Sequence, residues 1–116
     1  MTLQRFGVEA RLSNIVVHGD TVYLAGQIAE AAAGLSVAEQ TQDVLNQIDE
    51  ALAEAGTDKT RILTATIWLR DIATFAEMNS VWDQWVPQGH TPARATVEAK
   101  LANPKIDVEI MVIAAR

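Results

Sequence analysis

Arg94 and Glu109 are the two side chains whose types and positions best suit chemistry on a small anion. Arg94 follows Pro92 at the head of a run that alternates apolar and polar residues, and such alternation predicts a strand. A strand holds a guanidinium on a stiff frame, from which its planar fork can bind a carboxylate through two parallel hydrogen bonds. The simpler alternative is a surface arginine on the solvent face of a sheet.

Glu109 lies fifteen residues after Arg94, in a second alternating run that extends from Asp107 to Ile113. A carboxylate close to a bound substrate can orient or activate a water molecule as a general base. Thr96 shares a strand face with Arg94 and offers a hydroxyl group. The alternatives are an ordinary salt-bridged carboxylate for Glu109 and a β-forming residue without a chemical role for Thr96.

The elements that would position these residues begin with a hairpin. Two apolar, β-branched runs at residues 14–18 and 21–25 flank Gly19-Asp20, which predicts two strands joined by a tight two-residue turn. Gly26 follows the second strand, and its lack of a side chain would let a ligand or another backbone approach closely. A bulge or a simple strand end explains this glycine equally well.

Two later segments have the spacing of amphipathic helices. The first begins at Ser36, which forms a predicted capping box with Glu39, and continues to about position 55. The second begins at Thr74 with Glu77 as a further predicted capping box, and it stops at Pro87. Its apolar stripe, which we interpret as core rather than as a ligand site, comprises Phe75, Met78, Trp82, Trp85 and Val86.

Residues 61–70 predict a central strand without a strongly polar face. The order ββαβαββ allows two helices to cover one face of a mixed sheet, which is an α+β fold. The other face then needs a different cover, and we expect a subunit interface there. One predicted face carries Leu63, Ala65, Ile67 and Leu69, and the other carries Ile62, Thr64, Thr66 and Trp68.

Composition limits the classes of function. The 116 residues, 49% of them hydrophobic, suit a single domain over residues 1–116. With no cysteine and only His18 and His90, a disulfide framework, a thiol nucleophile or a zinc site is not expected. The net charge of −6 argues against a nucleic-acid partner. Without a long apolar run or a signal-like start, we expect no membrane partner and a cytoplasmic location.

Several segments together resemble the RidA/YjgF family of small trimeric enamine/imine deaminases. The resemblance covers nearly the whole chain, and the tryptophans of the second predicted helix point to a branch of the family with a Trp-rich second helix. The spacing between the arginine and the glutamate also matches. The matching segments are Ala25-Gly26-Gln27, Met78-Asn79-Ser80-Val81-Trp82, Pro92-Ala93-Arg94-Ala95-Thr96-Val97-Glu98 and Val108-Glu109-Ile110.

The resemblance implies a fold like that of a bacillus-type chorismate mutase, assembled as a homotrimer with a barrel-like centre and three clefts. It implies hydrolytic deamination of 2-enamine and 2-imine acids such as 2-iminopropanoate, giving 2-keto acids and ammonia without a cofactor or metal. Arg94 and Glu109 would be catalytic, with Gly26 in the pocket. Two positions depart from the family pattern, because its pocket tyrosine falls on Leu12 and its frequent cysteine on Thr96.

Two other functions fit the same sequence. The first is a non-catalytic trimer that binds small carboxylates, which Leu12 favours because leucine makes no hydrogen bond. The second is a pathway-specific hydrolase that acts on another C–N bond. Binding of 2-keto acids without turnover of imines would select the first alternative.

Overall fold

Seven strands form one sheet in the computed structural model, which describes residues 2–116. Two α-helices, α1 (Val37–Glu54) and α2 (Phe75–Trp85), pack on one face of that sheet. The predicted α+β arrangement, a mixed sheet with two helices on one face, is therefore confirmed. The strands are β1 (Leu3–Val8), β2 (Ser13–His18), β3 (Thr21–Leu24), β4 (Gln27–Ile28), β5 (Ile62–Leu69), β6 (Ala93–Glu98) and β7 (Val108–Ala115).

The strand order is β1-β2-β3-β7-β5-β6, with β4 paired to β7 beyond the end of β3. Only β5 and β6 run parallel, because α2 returns the chain between them. Strand β6 is therefore an edge strand, while β7 lies inside the sheet between β3 and β5. Neither helix within residues 2–116 combines the length and the apolarity that a membrane crossing requires.

The hairpin around Gly19-Asp20 is confirmed, since β2 and β3 pair with His18 opposite Thr21 and Gly19 has a φ of 60°. The prediction of only two strands before the first helix was wrong, because β1 and β4 were missed. Arg5 and Gly7 interrupt the apolar pattern of β1, and this strand is held by pairing with β2. Strand β4 has only two residues, too few to show a period.

Helix α1 begins as predicted. The Ser36 hydroxyl accepts a hydrogen bond from the Glu39 backbone N–H at 3.1 Å and donates to the Glu39 carboxylate at 2.9 Å. The apolar stripe of the helix is buried against the sheet, and Gly56 follows its end with a φ of 82°.

The second predicted capping box, Thr74 with Glu77, was wrong. A 3₁₀ turn over Ile72–Thr74 runs directly into α2, so Thr74 has a φ of −88° and a ψ of 8° instead of an extended backbone. Its hydroxyl donates to the Asp71 carbonyl oxygen at 2.6 Å. Glu77 instead accepts a hydrogen bond from the Ala38 backbone N–H, which ties α2 to the start of α1.

The predicted faces of the central strand hold only in part. A shift in the β5–β7 register between Ile62 and Thr64 breaks the alternation, as a β-bulge does. Ile62 is therefore buried on the side of Ala65 and Ile67. Leu63, predicted to share that buried face, is half exposed.

The two faces of the sheet differ in whether other elements of the chain pack on them. The face toward α1 and α2 holds the core, whereas the opposite face, called the outer face below, carries apolar side chains that no element of the same chain covers within residues 2–116. Cross-strand partners lie on the same side of a sheet, so the pairings identify this face. It includes Tyr23, Thr66, Trp68, Val97, Glu109, Met111 and Ile113.

Candidate functional site

Arg94 lies near the start of edge strand β6 and points toward α2. It is paired with Ala65 of β5, which is buried, so its side chain is on the helix side of the sheet. The alternative of a surface arginine on the solvent face was therefore wrong. The alanines and the valine that alternate with it are exposed, as is Glu98 at the end of the strand.

Three side chains of α2 hold the Arg94 guanidinium. Its Nη1 donates a hydrogen bond to Asn79 Oδ1 at 2.8 Å. Its central carbon lies 5.2 Å from the centre of the Trp82 ring and 5.6 Å from that of Phe75, within the range of cation–π attraction. Within residues 2–116 its other N–H groups have no hydrogen-bond partner, so they can bind water or a ligand.

An open cleft of about 380 Å³ adjoins Arg94. Burial lowers the pKa of Arg94, and the negative charge of Asp83 opposes that shift. A guanidinium stays protonated throughout the physiological range even so. The cleft therefore offers a permanent, partly desolvated positive charge, and its lining includes Asn79, Trp82, Asp83, Gln88, Thr91 and Pro92.

Thr96 lies on the same face as Arg94, opposite the buried Ile67. Its hydroxyl oxygen is buried and has no hydrogen-bond partner within residues 2–116. A buried polar atom without a partner is costly, and this oxygen is closed off from solvent in the single chain. Thr96 is not among the described residues that line the cleft beside Arg94, so its role in binding stays a prediction.

Glu109 and Gly26 pack against each other in a second part of the structure, away from Arg94. A Cβ atom at Gly26 would lie 2.1 Å from Glu109 Oε2, so the carboxylate occupies the space that a side chain at position 26 would need. Close approach at Gly26 was predicted for a ligand or a backbone, but here the carboxylate of Glu109 makes it. Burial raises the pKa of Glu109 above its ordinary value of 4.5, which makes this carboxylate a stronger base.

The register of β5 puts Arg94 and the contact between Glu109 and Gly26 on opposite faces of the sheet. Trp68 pairs with Glu109, while Ala65 pairs with Arg94, and side chains of one strand alternate between the two faces. Arg94 and Thr96 therefore lie on the helix side, and Glu109 lies on the outer face. Within one chain the sheet stands between the two proposed catalytic groups.

Leu12 lies in the turn between β1 and β2, at the edge of the sheet opposite to β6, and it is 51% exposed. One chain therefore brings Arg94 together with Thr96 and Glu109 together with Gly26, but it does not bring all five predicted residues into one pocket. No group of three or more metal-ligating side chains converges within residues 2–116.

Sequence reasoning missed Asn79 as a partner of Arg94 and treated the aromatic stripe of α2 purely as core. Met78, Trp82 and Trp85 are indeed buried. However, Trp82 also lies against the guanidinium, and Phe75 is 41% exposed beside it. One local signal was available. Asn79 lies four residues after Phe75 and three residues before Trp82, so the three side chains share one helix face.

Gly26→Ala is expected to lower turnover while leaving the protein folded. The new methyl group cannot coexist with the present position of the Glu109 carboxylate, whose flexible end must move. Because that displacement relocates the proposed base, kcat should fall roughly 10-fold or more, as expected for misplacement of a catalytic group by about 1 Å. Steady-state kinetics and thermal melting together measure this. Unchanged kcat in Gly26→Ala would argue against a role for the present carboxylate position.

Comparisons with known proteins match the chain over its length. A family model described as Endoribonuclease L-PSP matches residues 2–116. A RutC family protein of Haemophilus influenzae is 47% identical over 114 residues, covering 98% of both chains. A Bos taurus protein named 2-iminobutanoate/2-iminopropanoate deaminase is 36% identical over 107 residues, covering 88% of this chain and 77% of the relative. The crystal structure of a YjgF family member from Neisseria meningitidis superimposes with a TM-score of 0.97 at 48% identity, covering 100% of this chain and 96% of that one.

Proposed function

We propose that this chain, which belongs to the Endoribonuclease L-PSP family, hydrolyses 2-imino acids. The relatives of the chain include RutC and YjgF proteins. The products are the corresponding 2-keto acids and ammonia. A relative named 2-iminobutanoate/2-iminopropanoate deaminase, 36% identical, supports this class of reaction.

The observation that carries the proposal is the environment of Arg94. Its guanidinium is half-buried, oriented by Asn79 and two aromatic rings, and open to a cleft large enough for a short-chain imino acid. A guanidinium fixed in this way binds a carboxylate bidentately at little cost in side-chain entropy. The substrate carboxylate therefore anchors at Arg94.

Glu109 supplies the proton transfers. It removes a proton from a water molecule as the water oxygen attacks the C=N carbon, and the imine nitrogen takes up a proton. Glu109 then transfers the hydroxyl proton of the resulting carbinolamine to its nitrogen, so that the C–N bond breaks, ammonia leaves and the keto acid remains. The imine is already electrophilic, so positioning and proton transfer are sufficient for this reaction.

Since the sheet separates the two groups in one chain, we propose that Arg94 of one subunit and Glu109 of a second subunit act on the same substrate. The outer face supports assembly, because Tyr23 and Val97, which lie on it, are each more than 40% exposed. An apolar surface of this kind is typical of an interface between subunits. A homotrimer with one cleft between each pair of chains would bring Arg94 of one subunit to Glu109 of the next and would also cover the outer face.

A mixture of two inactive variants is expected to regain activity. Arg94→Ala and Glu109→Gln chains, unfolded and refolded together in equal amounts, should form mixed trimers in which about a quarter of the sites combine an intact Arg94 with an intact Glu109. The assay is the specific activity of the mixture, with sedimentation equilibrium to confirm the trimer. The doubly substituted chain, treated in the same way, is the control and should remain inactive. A mixture no more active than either variant, or a monomer at micromolar concentration, would rule out the shared site.

A coupled assay tests the deaminase activity itself. An amino-acid oxidase or a dehydratase generates the imine in place, and release of keto acid is followed with and without the protein. Acceleration beyond the spontaneous hydrolysis rate is the expected result. If keto acids bind but imines are not turned over, the protein is a carboxylate-binding trimer, an alternative that Leu12 favours because leucine makes no hydrogen bond.

RNA is a weaker candidate substrate despite the name of the family. The net charge of −6 opposes the phosphate neutralisation on which RNA affinity depends. A single anchored arginine suits a small carboxylate better than a polyanion.

A further inference from the structure

Asp83 shares the cleft with Arg94 and has no part in the reaction proposed above. It lies one turn after Asn79 on α2, next to Trp82, and it is exposed in the lining of the cleft. The cleft therefore carries one positive and one negative side chain. Its other lining residues, including Gln88, Thr91 and Pro92, are uncharged.

Asp83 does not neutralise Arg94 directly. Within residues 2–116 the ion pair at close range joins Arg70 and Asp107, and Asp83 makes no hydrogen bond with another described side chain. Its charge is nevertheless felt at the guanidinium, where it favours the protonated form. The two charges therefore line the same cleft without an ion pair between them, so a ligand bound to Arg94 also experiences the charge of Asp83.

We propose that Asp83 is a specificity-determining residue that restricts the cleft to substrates with a single carboxylate. On this proposal, which rests on the function proposed above, imino acids with an uncharged side chain are accepted and dicarboxylic imino acids are rejected. A protonated imine nitrogen is also compatible with Asp83, because the cationic group is attracted where a second carboxylate is repelled.

The size of the effect follows from electrostatics. The repulsion between two like charges near a protein surface depends on an effective dielectric constant between that of water and that of a partly buried site. For charges several ångströms apart, we therefore expect a ligand with one carboxylate to bind roughly 3- to 30-fold more tightly than a ligand with two. Rejection of a partner by an unfavourable charge is a common device of specificity. The uncharged remainder of the lining gives a second carboxylate no compensating cation.

Equilibrium binding of pyruvate and 2-oxoglutarate tests the proposal. Isothermal titration calorimetry of the wild-type protein is expected to show tighter binding of pyruvate. Asp83→Asn should strengthen binding of 2-oxoglutarate roughly 3- to 30-fold more than binding of pyruvate, whereas Asp83→Glu should preserve the wild-type preference. Asp83 is exposed, so these variants should fold, which circular dichroism verifies.

Glu54→Gln is the matched control, because it removes the same charge from an exposed residue that lines a different cleft. An equal change in this variant would assign the effect to net charge and would overturn the proposal. If pyruvate binds in an Arg94-dependent manner but Asp83→Asn leaves the preference unaltered, the specificity role is wrong while the proposed function stands. If neither keto acid binds to the wild type or to Asp83→Asn, the specificity role fails, and the coupled imine assay decides the proposed function separately.

Discussion

Arg94→Ala is expected to lower kcat/KM for imino acids by roughly 30-fold to several thousand-fold. Loss of one partner from a hydrogen-bonded charge pair in a partly desolvated site costs about 2–5 kcal/mol, and each 1.4 kcal/mol corresponds to a factor of ten. The fold should persist, because Arg94 lies at an edge strand and outside the buried apolar core. Steady-state kinetics with an enzymatically generated imine measures the change.

Two further variants identify the cause of that loss. Arg94→Lys should recover little activity, because an ammonium group cannot reproduce the two-pronged contact or lie flat between Phe75 and Trp82. Arg61→Ala removes the same charge from an exposed 3₁₀ turn and should retain wild-type kinetics. Wild-type turnover by a folded Arg94→Ala protein would show that the carboxylate site has been placed wrongly.

Glu109→Gln is expected to reduce kcat roughly 100- to 10,000-fold with a smaller effect on substrate affinity. The amide retains the shape of the carboxylate but cannot accept a proton from water, and general-base catalysis is typically worth that factor. The wild-type pH–rate profile should show an acidic limb above pH 4.5, since burial raises the pKa of Glu109. A Glu109→Gln variant that kept the same acidic limb would assign that ionisation to another group.

The same substitution is expected to stabilise the protein at neutral pH. A raised pKa means that folded Glu109 binds its proton more tightly than the unfolded chain does, so ionisation lowers the free energy of unfolding as pH rises through the folded pKa. Glu109→Gln removes this penalty and should raise Tm at pH 7. The gain should disappear well below pH 4.5, where the carboxyl is protonated in both states.

Local patterns were sufficient to predict most of the fold. The hairpin at Gly19 and the start of α1 at Ser36 depend on neighbouring residues, and both are confirmed. Strand β1 and the bulge that exposes Leu63 depend on pairing with distant segments, which a local pattern does not contain. The capping box at Thr74 was wrong because a preceding 3₁₀ turn had already fixed its backbone.

The same distinction between local patterns and pairing of distant segments applies to the candidate site. Residue type and alternation selected Arg94 and Glu109, but they could not place the two relative to each other. That placement follows from β5, which lies between β6 and β7 and pairs with each in a register that only the folded sheet defines. Asn79 was missed for a similar reason, since its contact with Arg94 joins a helix to a strand fifteen residues away.

The packing of Glu109 against Gly26 also constrains how the sequence can change over evolutionary time. A side chain at position 26 and a glutamate at position 109 in its present rotamer exclude each other, because one carboxylate oxygen already fills that volume. The two positions are therefore expected to covary. A homologue with any larger residue at position 26 should carry a shorter residue at position 109, and with it a different source of the catalytic base.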